Sequence, residues 1–121
     1  MKKQLLPCPD SPNCVSTLSL AAAQQMEALF YAGDPITALH RLRSLVSALP
    51  RFTLIDETPD YLHYEVKTRI GNFIDDVEFR LDTERNRIDF RSASRVGYHD
   101  LGANKRRMQR IQQRWNEGRT R

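Results

Sequence analysis

The sequence predicts an α+β fold, in which a four- or five-stranded antiparallel meander carries two helices packed on one of its faces. Between residues 52 and 96, four strand-like segments follow one another through short polar links, which favours antiparallel neighbours. Two segments outside this region repeat apolar residues at three- and four-residue steps, as amphipathic helices do. Their apolar stripes need a partner, and the sheet supplies one.

Three parts of the chain differ in composition. Residues 1–19 are predicted to form a Cys/Pro-rich leader, residues 20–117 a single α+β domain and residues 118–121 a basic tail. Prolines and turn-forming residues disfavour a regular element from Cys8 to Ser19. The segment Leu20–Phe30 contains helix formers with poor apolar spacing, so the sequence leaves it open between helix and extended backbone.

Capping residues and prolines delimit the two helices. The first is predicted to follow Asp34, with Pro35 at the first helical position, where the missing N–H costs nothing. Its apolar face contains Ile36, Leu39, Leu42, Val46 and Leu49. Pro50 ends it, because proline disfavours the helical conformation of the preceding residue. The second helix is predicted near the end of the chain, capped by Asp100 or Asn104. Its apolar stripe contains Leu101, Met108, Ile111 and Trp115.

Four strands are predicted between the helices, at Phe52–Thr58, Tyr61–Thr68, Asn72–Leu81 and Arg87–Val96. Successive side chains of a strand point to opposite faces of the sheet. The apolar face of the third strand therefore contains Phe73, Asp75, Val77, Phe79 and Leu81. That of the fourth contains Ile88, Phe90, Ser92, Ser94 and Val96. Asp76 and Glu78 lie on the opposite face, where we expect water to solvate them.

A carboxylate on the apolar face, that of Asp75, must be paired, hydrogen-bonded or protonated, because desolvating it alone is costly. One interpretation places it in a polar pocket with Ser92, Ser94 and an arginine, either Arg69 or Arg95. The alternative is a structural role, as a buried ion pair or at a strand bulge that leaves the carboxylate in water. The residues leave both interpretations open.

Charge is concentrated at the end of the chain. Residues 105–121 contain seven basic residues and one acidic residue, a net charge of +6, whereas residues 1–104 contain twelve basic and fourteen acidic residues. Arg107, Arg110 and Arg114 lie on one flank of the predicted last helix. This flank is either a solvated helix face or a surface for an anionic partner, such as another protein or a membrane.

Two cysteines, Cys8 and Cys14, enclose five residues, two of which are proline. Such a loop closes as a disulfide if the two Cα atoms come within about 7 Å. The pair is a structural clamp of the loop or a redox-sensitive pair. No metal site is expected, because the three histidines lie in unrelated elements and none has zinc-motif spacing.

Two stretches of the sequence are characteristic of a family. They are C-P-D-S-P-N-C-V-S from Cys8 to Ser16 and R-S-A-S-R-V-G-Y-H-D-L-G-A-N from Arg91 to Asn104. With G-D-P at residues 33–35 and F-I-D-D-V-E-F at residues 73–79, they make the chain resemble the family called domain of unknown function 1499 over Cys8–Trp115. The resemblance implies a small domain without an assigned activity, and extended backbone over Met26–Tyr31.

The corner between the fourth strand and the last helix is the most suggestive candidate site. Helix N-termini present unpaired N–H groups that bind anions, and basic residues lie close by in the sequence. The alternative is that Asp100 and Asn104 accept these N–H groups themselves as caps.

These observations predict a non-enzymatic binding module for an anionic ligand or protein partner. The ligand-binding residues are predicted to be Asp75, Ser92, Ser94, Arg69, Arg95, Tyr98, Asp100 and Asn104. Two alternatives stay open: an enzyme that uses Asp75 with Arg95 or Tyr98 in a polar pocket, and a peripheral membrane or protein-docking module that uses the basic last helix. No catalytic motif favours the enzyme.

Cofactors, partners and compartment follow from what the sequence lacks. No cofactor is expected. Nucleic acid is not expected as a partner, because no reading module or aromatic stacking platform accompanies the basic helix. No apolar run is long enough to cross a membrane, and the N-terminal residues do not form a secretion signal, so we expect a cytoplasmic protein.

Overall fold

One six-stranded antiparallel sheet and two helices make up the structure, a computed structural model that describes residues 4–97 and 99–119. The strands are β1 (Cys14–Ser16), β2 (Leu29–Phe30), β3 (Phe52–Thr58), β4 (Tyr61–Lys67), β5 (Ile74–Asp82) and β6 (Arg87–Ser94). The helices are α1 (Pro35–Ser47) and α2 (Ala103–Arg119). The predicted α+β fold is confirmed, with six strands rather than four or five.

The four long strands form the predicted meander, in which β3, β4, β5 and β6 are antiparallel neighbours in chain order. The remaining edge of β6 is shared by the two short strands. β1 pairs with residues 91–93, and β2 pairs with residues 87–88. The chain before α1 therefore completes the sheet on one side, and β3 forms the edge on the other side.

The N-terminal part of the chain differs from its prediction. The expectation that Cys8–Ser19 has no regular element is wrong, because β1 lies within it. Pairing with β6 supplies hydrogen bonds that local sequence preferences do not count. Leu20–Phe30, all of which the structure describes, contains turns and β2 but no helix. Within and just after this segment, Met26–Tyr31 contains β2 and no turn or helix, which agrees with the extended backbone that the family resemblance implies there.

The helices begin and end near their predicted positions. Asp34 caps α1 by accepting a hydrogen bond of 2.8 Å from the N–H of Thr37, and Pro35 is the first helical residue. The helix ends at Ser47, earlier than its apolar pattern suggests, and the following turn brings the partly buried Leu49 against the core. Leu101 lies before α2 and is 88% exposed, so its predicted place on the apolar stripe is wrong.

The core lies between the helices and one face of the sheet, called here the inner face. Met108, Ile111 and Trp115 of α2 are fully buried against it. The indole N–H of Trp115 donates to the carbonyl oxygen of Phe30 at 2.8 Å. The guanidinium carbon of Arg41 lies 3.8 Å from the centre of the same ring, so α1, α2 and β2 meet at this side chain.

Three strands are shorter at one end than their patterns predict, β4 by the single residue Thr68 and β5 and β6 by two residues each. β5 begins at Ile74 and β6 ends at Ser94, so Phe73 and Val96 lie in the adjoining loops. Both were expected in the core with their apolar neighbours, but they are 55% and 57% exposed. The expectation is wrong because alternation assigns a face of the sheet and says nothing of whether a helix covers it there.

A disulfide joins Cys8 and Cys14, whose Cα atoms are 5.7 Å apart. The loop it closes leads directly into β1, and Cys14 itself pairs with Ala93 of β6. The bond therefore ties the start of the chain to β6, which lies between the short strands and β5. Within the described residues, neither helix is long and apolar enough to span a bilayer.

Replacing both cysteines, Cys8→Ser with Cys14→Ser, is expected to lower the free energy of unfolding by about 2 kcal/mol, because the unfolded loop gains conformational freedom. Urea denaturation in non-reducing buffer measures the difference. Wild-type protein treated with a reductant is the control, and its free energy of unfolding should fall by the same amount. An unchanged denaturation midpoint under reduction would show that the bond contributes nothing.

Candidate functional site

The buried carboxylate of Asp75 forms an ion pair with Arg107 of α2, at 2.7 Å between Oδ2 and Nη2. Asp75 lies on the inner face of β5 and is 1% exposed, as alternation predicts. The arginine comes from the helix that covers this face. The expectation that Arg69 or Arg95 contacts Asp75 is therefore wrong, and Asp75 belongs to a buried structural ion pair.

A hydrogen-bond network surrounds this ion pair. Nη1 of Arg107 donates to Oδ1 of Asn104 at 2.8 Å and to Oγ of Ser92 at 3.2 Å. The hydroxyl of Ser92 donates in turn to the same Asn104 oxygen at 2.6 Å. Ser92 and Asn104 are both fully buried, and each polar group has a partner within the protein. This satisfies the general requirement on buried polar groups.

The side-chain amide of Asn104 connects the network to two other parts of the chain. Its nitrogen lies 3.1 Å from the carbonyl oxygen of Asn13, 3.0 Å from Oγ of Ser94 and 2.7 Å from Oδ2 of Asp100. Asn13 also donates its own amide to the carbonyl of Gly97 at 2.8 Å. Five of the predicted site residues are thus brought together: Asn104 bonds to Ser92, Ser94 and Asp100, and Arg107 links this group to Asp75.

Asp100 caps the start of α2. Its carboxylate accepts the N–H of Gly102 at 2.8 Å and the N–H of Asn104 at 3.0 Å. Partial burial acts to raise the pKa of Asp100, but these hydrogen bonds and the one from the Asn104 amide outweigh it and hold the pKa below its usual 3.8. The N–H groups that would bind an external anion are therefore occupied by the chain's own carboxylate.

Arg95 lies on the opposite, outer face of the sheet. Its guanidinium binds Asp76, with 2.8 Å between Nε and Oδ2, and also pairs with Glu65. Burial acts to raise the pKa of Asp76, but the hydrogen bonds from Arg95 and His63 outweigh it and lower the pKa. Glu78 accepts the hydroxyl of Tyr61. The expectation that Asp76 and Glu78 are simply solvated is wrong, because neighbouring strands supply partners.

A groove of about 340 Å³ opens beside Arg107, between the end of α1, the strands β3 and β4, and the start of α2. Its lining contains six cationic side chains and no acidic one: Arg51, Lys67, Arg69, Arg106, Arg107 and Arg110. Leu49, Pro50, Phe52 and Val66 supply apolar walls. We call this feature the basic groove. Arg69, a predicted site residue, belongs to it.

Arg107 is the residue that analysis of the sequence misses. The sequence predicts it on a basic flank of the last helix, yet its side chain is only 13% exposed. A signal was present: Asn104, Arg107 and Ile111 follow one another at helical steps, which places Arg107 beside the apolar stripe. Tyr98, another predicted site residue, lies outside the described residues.

The hydrogen bonds of this network hold the guanidinium cation of Arg107 in a fixed position. The sheet and α2 bury Asp75, and Arg107 donates a hydrogen bond to its carboxylate. Among the described residues, no group of three or more His, Cys, Asp or Glu side chains is arranged to hold a metal ion.

Comparison with known proteins identifies a family match over most of the chain. The family described as a protein of unknown function (DUF1499) matches residues 4–114. No curated protein and no solved structure matches. The matched region includes all six strands, the whole of α1, and α2 as far as Arg114.

Arg107→Met leaves the carboxylate of Asp75 buried without its partner and is expected to lower the free energy of unfolding by about 3–5 kcal/mol. Adding Asp75→Asn should recover part of this loss, because no unpaired charge then remains. Arg110→Met, on the exposed side of the same helix, is the control, with an expected change below about 0.5 kcal/mol. Urea unfolding measures all four proteins. Equal effects of the two arginine substitutions would contradict the role of the ion pair.

Asp100→Ala is expected to lower the free energy of unfolding by about 1 kcal/mol at neutral pH, as the loss of a helix cap does. Because the pKa of Asp100 is lowered in the folded protein, its contribution is complete above the unfolded value, near 3.8, and is lost as the pH falls through the folded pKa. The difference between the two proteins should therefore shrink in acid. Unfolding curves recorded from neutral pH downwards test this, and a constant difference would refute it.

Proposed function

The chain belongs to the DUF1499 family, and we propose that it is a non-enzymatic binding module whose ligand is an anion that carries an apolar group. The basic groove is the observation that supports this proposal. Six cations line it and no carboxylate does. Asp75, behind the lining, balances the charge of Arg107, and the other cations give this concave surface an excess of positive charge. Arginines predominate among these cations, and their planar guanidinium groups suit the paired oxygens of phosphate or carboxylate.

The apolar walls define the second part of the ligand. Phe52 and Val66 lie at the edge of the core, and Leu49 and Pro50 follow the end of α1. A simple inorganic anion would leave these surfaces in water, whereas an aliphatic group would cover them. A volume of about 340 Å³ lies within the usual range for small-molecule sites.

In this proposal the residues predicted from the sequence have two kinds of role. Arg69 touches the ligand. Asp75, Ser92 and Asn104 act as positioning residues, because they hold the guanidinium of Arg107 where it lines the groove. Ser94 and Asp100 support Asn104 in turn. Arg95 has no role in this proposal, since its ion pairs with Asp76 and Glu65 lie on the outer face.

The enzyme alternative has less support than binding. It requires Asp75 to meet a substrate together with Arg95 or Tyr98. Asp75 is almost fully buried and its carboxylate is held by Arg107, while Arg95 binds Asp76 on the other face. Docking through the basic helix alone is also less supported, because Arg107 is directed into the protein.

Cytoplasmic localisation stays a prediction. The Cys8–Cys14 disulfide is typical of oxidising compartments, where such bonds persist. A chain that keeps this bond when it is isolated from its own cell, under conditions that block thiols, would argue against the cytoplasm.

Octyl phosphate is a suitable probe for the basic groove, because it combines the two parts of the proposed ligand. We expect it to bind wild-type protein more tightly than inorganic phosphate or octanol does, as measured by isothermal titration calorimetry. Arg69→Gln with Arg110→Gln should weaken this binding about tenfold, through the loss of two charged hydrogen-bond donors.

Arg85→Gln is the control for the loss of charge. Arg85 lies in the turn between β5 and β6, at the opposite end of the sheet, where it pairs with Asp82 at 3.6 Å. It should leave the affinity for octyl phosphate unchanged. Equal affinity of the groove variant and wild type, or an equal loss in Arg85→Gln, would refute a site in the basic groove.

A further inference from the structure

Four large apolar side chains are exposed on two neighbouring loops. Ile70 is 85% exposed, Phe73 55%, Val96 57% and Leu101 88%. The loops are residues 68–73, between β4 and β5, and the described residues 95–97 and 99–102, between β6 and α2. They carry four of the nine large apolar side chains that are exposed in the part of the chain that the structure describes. Such a concentration is uncommon on a surface that faces only water.

Strand pairing places both loops at one end of the sheet. The N–H of Thr68 donates to the carbonyl of Phe73, and the N–H of Arg95 donates to the carbonyl of Ile74. Continuing the β5–β6 register beyond Asp75 and Ser94 sets Phe73 opposite Val96. Their apolar surface therefore extends the inner face of the sheet past the start of α2. We call these two loops together the docking end.

The docking end adjoins the basic groove. Lys67 directly precedes the first loop and Arg69 lies in it. Arg106 reaches back from α2 and donates to the carbonyl oxygen of Leu101 at 2.6 Å. The acidic residue of the second loop, Asp100, is occupied as the cap of α2. Apolar side chains at loop tips, with cations around them, match the two layers of an anionic bilayer surface: acyl chains below and negative headgroups above.

We propose that the docking end is a membrane-binding surface that seats on anionic phospholipid bilayers. Ile70, Phe73 and Leu101 enter the boundary between headgroups and acyl chains. The cations of the basic groove attract the surface, and this attraction weakens as salt screens it. The proposal goes beyond a ligand in the groove, because the side chains that anchor the protein lie outside that groove.

Flotation with vesicles tests the proposal. Wild-type protein should float with vesicles of mixed phosphatidylglycerol and phosphatidylcholine, less so as sodium chloride is raised, and not with pure phosphatidylcholine. Ile70→Ser with Leu101→Ser should require at least about tenfold more anionic lipid for half-binding, since two apolar anchors are lost. Equal flotation of this variant and wild type would overturn the proposal, as would wild-type protein that does not float with the mixed vesicles.

Ile36→Ser with Ile55→Ser is the matched control. Ile36, 44% exposed, lies in the first turn of α1, close to the opposite end of the sheet, and Ile55, 47% exposed, lies in the edge strand β3. The control should float as wild type does. An equal loss in the control would attribute binding to general surface hydrophobicity and overturn the assignment to this end. Thermal melts confirm that each variant is folded.

Leu101→Trp reports on insertion directly. The native Trp115 is fully buried, so its emission should not respond to lipid. We expect the emission of Leu101→Trp to shift to shorter wavelength on adding mixed vesicles. Bound protein without this shift would mean that the loop stays in water, which contradicts insertion.

These experiments can refute the membrane-binding proposal and the groove proposal independently of each other. If wild-type protein binds octyl phosphate but does not float, the membrane surface is wrong and the groove stands. If it floats, with loss in Ile70→Ser with Leu101→Ser, but octyl phosphate does not bind, the groove ligand is wrong and the docking end stands.

Discussion

The ion pair between Asp75 and Arg107 is the interaction on which the arrangement of α2 depends. Burying a carboxylate that is 1% exposed is costly without a close partner, and an arginine of α2 supplies that partner above the inner face of the sheet. Sliding or rotating α2 would remove that arginine. The pair therefore determines how α2 lies on the sheet, and with it the positions of Arg106 and Arg110 at the basic groove.

The two sequence motifs that characterise the family meet in this region. The opening motif, Cys8–Ser16, forms the disulfide loop and β1, and the closing motif, Arg91–Asn104, ends β6 and leads into α2. The hydrogen bond from the amide of Asn104 to the carbonyl of Asn13 joins residues 91 positions apart. Both motifs thus have a structural explanation, since together they fasten the beginning of the chain and α2 to β6.

The two faces of the sheet use their polar side chains differently, and this decides which groups a ligand can reach. On the inner face, Asp75, Ser92 and Asn104 are buried, and Arg107 joins them in one hydrogen-bond network. Such groups are better suited to positioning a side chain than to reacting with a substrate. The outer face carries ion pairs such as that of Arg95 with Asp76. What remains accessible near the inner network is the cationic side of α2, the loop that contains Arg69, and the apolar loop tips. This distribution is the reason for proposing that the molecule binds its ligand and its membrane at this end.

Local sequence determined the helices, the meander and the need of Asp75 for a partner, because periodicity, caps and alternation depend on residues close in the chain. It also placed Ser92 and Ser94 on the correct face. Only the tertiary structure decided that the partner is Arg107, that β1 and β2 complete the sheet, and that Phe73 and Val96 stay uncovered. These outcomes depend on how far α2 extends over the sheet and on pairing between distant segments, and no short-range pattern in a single chain carries that information.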